Sequence, residues 1–441
     1  MHIHLAYGSG QVPVDVPDNW INGRCYRPRT MEPMQDIRAG LDAALAELPD
    51  NLALSALAQD KTRALIALDS TAPELLETLL PLIVEALETQ AGIPPGKLTL
   101  LFSNPPWGTP MPPGKLVGKL PSRLRMKAAA LVHDPRDSAH CAEPPGYAGQ
   151  LPLRVNKAYM EAPLRIILGG VRPDMFLGFT GGRAVVLPGL AGEETLSALT
   201  SFNSIASRNT RAGNFRDNPF HLAGMEALHA AGCDLLVSAV LNASGDIHTI
   251  TAGDPRQSHV AAMSAAREAM VVKVKEPMDI VVTSGGGAPL DGTLWDLVHT
   301  LGMVLPVLKK GGTIIAAAAL EKGIGPPQFE ELLSGNDSIR TTLRQISLAD
   351  QRGPAHWVAQ KLLNILEEHE VILYNTNVDE DLLWRTGLTP ARDINEAILG
   401  AMESHGQRCK IVALPDGPLG IGELLTRGGS GERNPRLPIR A

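Results

Sequence analysis

Two apolar pentapeptides, Ala64-Leu65-Ile66-Ala67-Leu68 and Leu98-Thr99-Leu100-Leu101-Phe102, constrain this chain most. A near-continuous apolar run has no wet face, so each predicts a strand buried on both sides, as in a parallel sheet. Residues 74–90 between them carry apolar side chains at helical spacing, and a helix is the crossover that parallel strands need. Strand, acidic turn at Asp69, helix and strand form one βαβ unit. The alternation resumes at residue 279. Segments 279–283, 312–319, 371–374 and 410–414 read as strands, and 294–308, 355–368 and 393–404 as helices, with another helix starting at 327.

The stretch between these series is more mixed. Residues 155–159, 164–168 and 184–187 are short apolar runs read as strands, 195–207 and 219–231 as helices, and 234–241 with 247–252 as a hairpin. A helix at 258–269 follows, and residues 2–16 read as a hairpin turning at Tyr7-Gly8-Ser9-Gly10. The expected fold is α/β: two α/β domains, residues 1–265 and 275–420, around an interdomain cleft. A flexible tail is expected at 426–441. Ligands of such sheets bind at the carboxyl ends of the strands, which places the site in the cleft.

Composition narrows the function classes. A net charge of -7 gives no basic face for nucleic acid. No apolar run approaches the ~18 residues of a membrane span. The first ten residues lack the basic-then-apolar pattern of a secretory leader. Cys25, Cys141, Cys233 and Cys409 are isolated, as suits a reducing cytoplasm, and a cytoplasmic location is expected. HExxH, zinc-type spacings and the GxSxG elbow are all absent. His2-Ile3-His4 has no third ligand in view, so no metal site is expected.

Four motifs offer chemistry, each with a plainer rival. Asp69-Ser70-Thr71-Ala72-Pro73 sits between strand and helix, where backbone N–H groups and Thr71 bind an anion or Ser70 and Thr71 simply cap the helix. Gly178-Phe179-Thr180-Gly181-Gly182-Arg183 is an anion nest or a tight turn. Ser284-Gly285-Gly286-Gly287 ends a strand, where glycine permits close ligand approach. His133-Asp134 pairs an imidazole with a carboxylate, either as a general base or as a turn histidine.

Taken in order, these motifs resemble the nickel-pincer lactate racemase family. The series also includes Gly169-Gly170-Val171-Arg172-Pro173, Leu187-Pro188-Gly189, Asn218-Pro219-Phe220-His221, Pro289-Leu290-Asp291 and Glu321-Lys322-Gly323. The resemblance implies two α/β domains and a nickel ion on a pyridinium mononucleotide joined to a lysine by a thioamide. It also implies hydride exchange with a 2-hydroxy acid, and histidines that move the hydroxyl proton. Several matching positions depart from that pattern. Ala184 stands where the anchor lysine is implied, Asp174 at an acid–base histidine, and Thr200 near the nickel-binding histidine. Ala72 replaces a phosphate-binding arginine, Ser103-Asn104-Pro105 a Thr-His-Arg motif, and His299 a lysine.

The expected function is thus that of a diverged lactate racemase-like protein binding a small polar or anionic ligand of 2-hydroxy-acid type, with isomerase chemistry altered. His133, Asp174 and His299 are the expected catalytic groups; Asp69, Thr71, Gly181, Gly182, Gly285 and Gly286 are the expected cofactor- or ligand-binding groups. The resident cofactor is left open, because an alanine at 184 has no amine for the thioamide. Two further readings stand beside this one: a non-catalytic metabolite- or protein-binding member, and a racemase that holds the nickel-pincer group non-covalently.

Overall fold

Both pentapeptides form strands, and they lie side by side within one six-stranded sheet. Its order is Ile247–Gly253, Leu235–Leu241, Arg165–Val171, Ala64–Leu68, Leu98–Phe102, Ala129–Val132, parallel except for the first pair. A second, wholly parallel sheet runs Thr389–Ala391, Glu370–Tyr374, Leu308–Ala317, Met278–Ser284, Ile411–Leu414, Arg24–Cys25. The computed structural model describes residues 2–15, 24–105, 112–335, 338–349, 353–406 and 408–425. The expected tail at 426–441 lies outside them. No helix among the described residues is long and apolar enough to cross a membrane.

The period of two along each strand decides which core a side chain joins. Leu65 and Ala67 enter the same large cluster as Val281, Ile314 and Ala316 of the second sheet, so one continuous apolar core joins the two units. Their neighbours Ala64, Ile66 and Leu68 pack into a second core on the other face of the first sheet. Ile280, Val282, Ile315 and Ala317 likewise turn to a third core, together with Ile3, Leu5 and Val14 of the N-terminal hairpin. Burying each such aliphatic side chain contributes about 1.5–3 kcal/mol, which is why the strands are legible as apolar runs.

Several segments differ from expectation. Residues 74–90 form two helices, Leu75–Thr78 and Leu80–Gln90; Pro81 lies in the first turn of the second, where its missing N–H is harmless. Residues 195–207 divide at Thr200 and Ser201 into Glu193–Leu199 and Phe202–Ala206. The run at 184–187 belongs to a helical turn, Arg183–Val186, because Ala184 N and Val185 N bond back to the carbonyls of Gly181 and Gly182. Residues 155–159 give a two-residue strand and then the helical turn Lys157–Met160.

The largest difference concerns the start of the chain. The strands His2–Tyr7 and Gly10–Asp15 form the expected hairpin, yet it packs on the second sheet, and Arg24–Cys25 pairs with Val412 and Ala413. A boundary near 265 would have assigned all of residues 1–265 to the first unit. The helix Pro255–Met270 packs on the first sheet, beside Leu235–Leu241 and Ile247–Gly253.

Candidate functional site

Each sheet has a topological switch point, where strands leave in opposite directions and the crevice at their carboxyl ends is available. In the first sheet it lies between Ala64–Leu68 and Arg165–Val171. Asp69 follows the first of these strands. Its Oδ1 accepts from Thr71 N (3.0 Å) and Thr71 Oγ1 (2.6 Å), and its Oδ2 accepts from Gly170 N (3.2 Å). Burial holds its carboxyl above the usual range, against the pull of these donors. Asp69 and Thr71 therefore lock the switch-point turn together. Arg172 closes it from above, donating to Thr71 O (3.3 Å) and pairing with Glu74.

The glycine turn lies under this crevice. Gly181 and Gly182 have φ of +73° and +49°, conformations that only glycine adopts readily. A Cβ at Gly182 would stand 2.4 Å from His259 Nδ1, and one at Gly181 would stand 2.8 Å from Gly170 O. The turn is pressed between strand and helix by the fully buried Arg183. Its guanidinium donates to Leu177 O (2.6 Å) and Phe179 O (3.2 Å) and meets His259 Nε2 at 2.9 Å. Burial pushes Arg183 down to about 9 and His221, beside it, down to about 2.

In the second sheet the switch point lies between Met278–Ser284 and Ile411–Leu414, and the N-terminal hairpin fills it. Ser284 Oγ donates to Ala6 O (2.5 Å), and Ala288 N to Gly8 O (2.8 Å). Gly285 N donates to Ala317 O (2.8 Å), and Gly286 N donates to Ser284 Oγ (2.9 Å). These glycines make room for protein, and their N–H groups already have acceptors. Asp291 fastens the same junction: its Oδ2 accepts from Gly8 N (2.8 Å) and Ala319 N (3.0 Å).

Of the expected catalytic residues, the structure brings two together. Asp174 ends the short strand Pro173–Asp174 of the first unit and caps the turn that follows, with Oδ1 accepting from Phe176 N (2.8 Å) and Leu177 N (2.6 Å). The adjacent Met175 packs so closely on Gly302 that a Cβ there would lie 3.0 Å from its own Cβ. Gly302 and the half-buried His299 share the helix Leu294–Val304 of the second unit. Burial holds the His299 imidazole below its usual value, while the nearby charges of Asp174 and Asp296 oppose that shift. Lys361, on the helix Pro354–Glu368, joins the same cluster: burial pushes it down to about 8, and Asp174 is the charge that opposes.

His133 is held elsewhere. Its Nε2 donates to Ala191 O (3.0 Å), and its Nδ1 faces Asn156 Nδ2 at 3.2 Å, an arrangement that suits the neutral ring. Burial lowers its basicity, and the carboxylates that act on it are Asp134 and Asp137 rather than Asp174. Sequence reasoning missed Lys361, Arg183 and His259 as members of the buried polar set. The one signal for Arg183 was its place in the glycine turn; a lysine in an amphipathic helix gives none.

These features define a two-unit α/β protein whose buried polar side chains converge where the units meet. Within that class the chain belongs to the lactate racemase family: residues 7–213 match the lactate racemase N-terminal domain and residues 273–421 the lactate racemase C-terminal domain. It is 29% identical over 429 residues to a lactate racemase of Thermoanaerobacterium thermosaccharolyticum, covering 94% of this chain and 98% of that one. A lactate racemase of Lactiplantibacillus plantarum is 29% identical over 363 residues, or 81% of this chain and 84% of its own. The solved structure of the lactate racemase apoprotein from T. thermosaccharolyticum superposes with a TM-score of 0.86 at 27% identity, over 96% of this chain and all of the other. A Thermotoga maritima protein, 16% identical with a TM-score of 0.59, shares the fold.

The nickel-pincer group implied by the family resemblance does not fit the residues present. Ala184 offers a half-buried methyl where an amine is needed. Thr200 is buried, and its Oγ1 donates to Leu196 O (2.6 Å), closing the end of a helix. Ala72, 1% exposed, packs where a phosphate-binding guanidinium is implied. Among the described residues no three His, Cys, Asp or Glu side chains are grouped to hold a metal.

Proposed function

We propose that this protein binds a small 2-hydroxy carboxylate between its two units, with Asp174 and His299 exchanging its hydroxyl proton, and carries no lysine-linked cofactor. One observation supports this reading above the others: Met175, next to Asp174, packs on Gly302 of the helix that carries His299, so groups of the two units meet there. A neutral imidazole accepts a proton, and a carboxylate beside it stabilises the imidazolium that forms. Asp174 is already aimed by two backbone N–H groups, so it needs no reorganisation to do so. In this reading His133 acts as a positioning residue, holding Ala191 O with Nε2 and Asn156 with Nδ1.

The test begins with the intact mass of protein purified from its own source. It should equal the sequence mass, and an adduct of cofactor mass on the chain would sink the reading. Each lactate enantiomer is then incubated with the protein in deuterium oxide. Interconversion with deuterium at C2 supports proton abstraction, and interconversion without it supports hydride chemistry. Binding without interconversion favours the non-catalytic member, for which the loss of amine and imidazole at 184 and 200 speaks. Absence of binding to either enantiomer rejects the hydroxy-acid assignment.

A further inference from the structure

We propose that Lys361 is the group that holds the carboxylate of the ligand, a specificity-determining contact at the meeting of the two units. The inference rests on the hydroxy-acid reading above and deepens it. Lys361 is only 7% exposed, and its ammonium donates to one acceptor, Thr210 O of the first unit, at 2.7 Å. An ammonium carries three N–H donors, and no second acceptor for it stands among the described residues. Leaving such donors unmatched in a buried place is costly; the Asp174 charge offsets part of that cost, and an anionic ligand takes up the free donors. The nearby carboxylate of Asp174 has Oδ1 committed to Phe176 N and Leu177 N.

The two helices that carry the proposed groups also meet: Leu294–Val304 and Pro354–Glu368 pack against each other. In this proposal the carboxylate is held by Lys361, whose neighbouring charge is Asp174, and the C2 hydroxyl is left to the Asp174 and His299 pair. Ammonium, carboxylate and imidazole then divide the work: one binds, two exchange the proton.

The test compares lactate with lactamide, which keeps the hydroxyl and loses the charge. Affinity of each is measured by titration calorimetry for the wild type, Lys361→Met and Lys361→Arg. The wild type should prefer lactate by roughly 10- to 100-fold, the size of a charge-assisted contact. Lys361→Met should abolish that preference while lactamide affinity changes less than about threefold. Lys361→Arg should restore part of it. A folded Lys361→Met that keeps the full lactate preference overturns this inference alone. A wild type that binds neither compound overturns the hydroxy-acid reading and this inference with it.

Should Lys361→Met fail to fold, the wild type alone still decides. Its lactate preference should fade as pH rises through about 8, where burial leaves Lys361 titrating. The charge that acts on it is that of Asp174, from the other unit. Persistence of the preference at pH 10 would reject the assignment.

Discussion

Residue by residue, the departures from the family pattern prove to be built into the packing. Ala72 is the clearest. Its methyl lies against Gly170 so closely that a Cβ on that glycine would stand 2.5 Å from it. Restoring the implied arginine should therefore overpack the switch point. We expect Ala72→Arg to lower stability by about 1–3 kcal/mol in urea unfolding, and unchanged stability would show that the turn has room. His133 makes a different point. Replacing it with leucine leaves Asn156 Nδ2 and Ala191 O unmatched in a buried place, at a cost of about 2–4 kcal/mol. A melting temperature within a degree of wild type would contradict that account. The sequence set His133 beside Asp134, but the ring's actual partners, Ala191 O and Asn156, were not visible in it. Nothing local to residue 133 announces a partner 23 residues away.

At the scale of elements, legibility followed the local physics. The pentapeptides at 64–68 and 98–102 gave exact strands because burial on both faces leaves no polar alternation to confuse them. The helix Pro219–Ala231 was equally plain, with Asn218 capping it through Phe220 N and Pro219 in its first turn. The Val185-Val186 run misled because its apolarity serves a helical turn set by Gly181, Gly182 and Arg183. Ser284-Gly285-Gly286-Gly287 was read as an approach for ligand, whereas the approaching backbone is that of the N-terminal hairpin. Asp291 fixes that docking, and its Oδ1 has no partner to compensate for a change. Asp291→Ala should release Gly8 N and Ala319 N. Hydrogen exchange over residues 2–15 should then speed at least tenfold while the first sheet is unaffected. Uniform exchange in both sheets would argue for global destabilisation instead.

For the whole molecule, the buried histidines set an acid limit. His133, His221, His259 and His299 are all held below the usual imidazole value, chiefly by burial. In the unfolded chain each titrates near ~6.5. As pH falls through that value the unfolded state binds protons that the folded state refuses, so stability declines. The slope is up to about 1.4 kcal/mol per pH unit for each histidine. Asp69 and Asp296 act with the opposite sign, since burial raises both carboxyls and the folded state takes up protons first. That contribution belongs to the lower carboxylate range. Calorimetry from pH 7 to pH 5.5 should show a falling melting temperature, and a flat profile would mean that these imidazoles reach solvent. The two-unit plan itself was readable from the repeated strand and helix alternation. The return of residues 2–15 and 24–25 to the second unit was not, because strand pairing over such a separation leaves no mark on neighbouring residues.

That return has a consequence for how the protein is made. Arg27 meets Asp416, 389 residues later in the chain, beside the strand pairing that completes the second sheet. At roughly 5–20 residues per second of synthesis, about 20–80 s pass between the emergence of the two partners. Until residues 278–317 emerge the opening hairpin has no strands to lie on, and the first sheet, whose strands all arrive earlier, can close without it. Translation order thus builds the middle of the chain first and its two ends last.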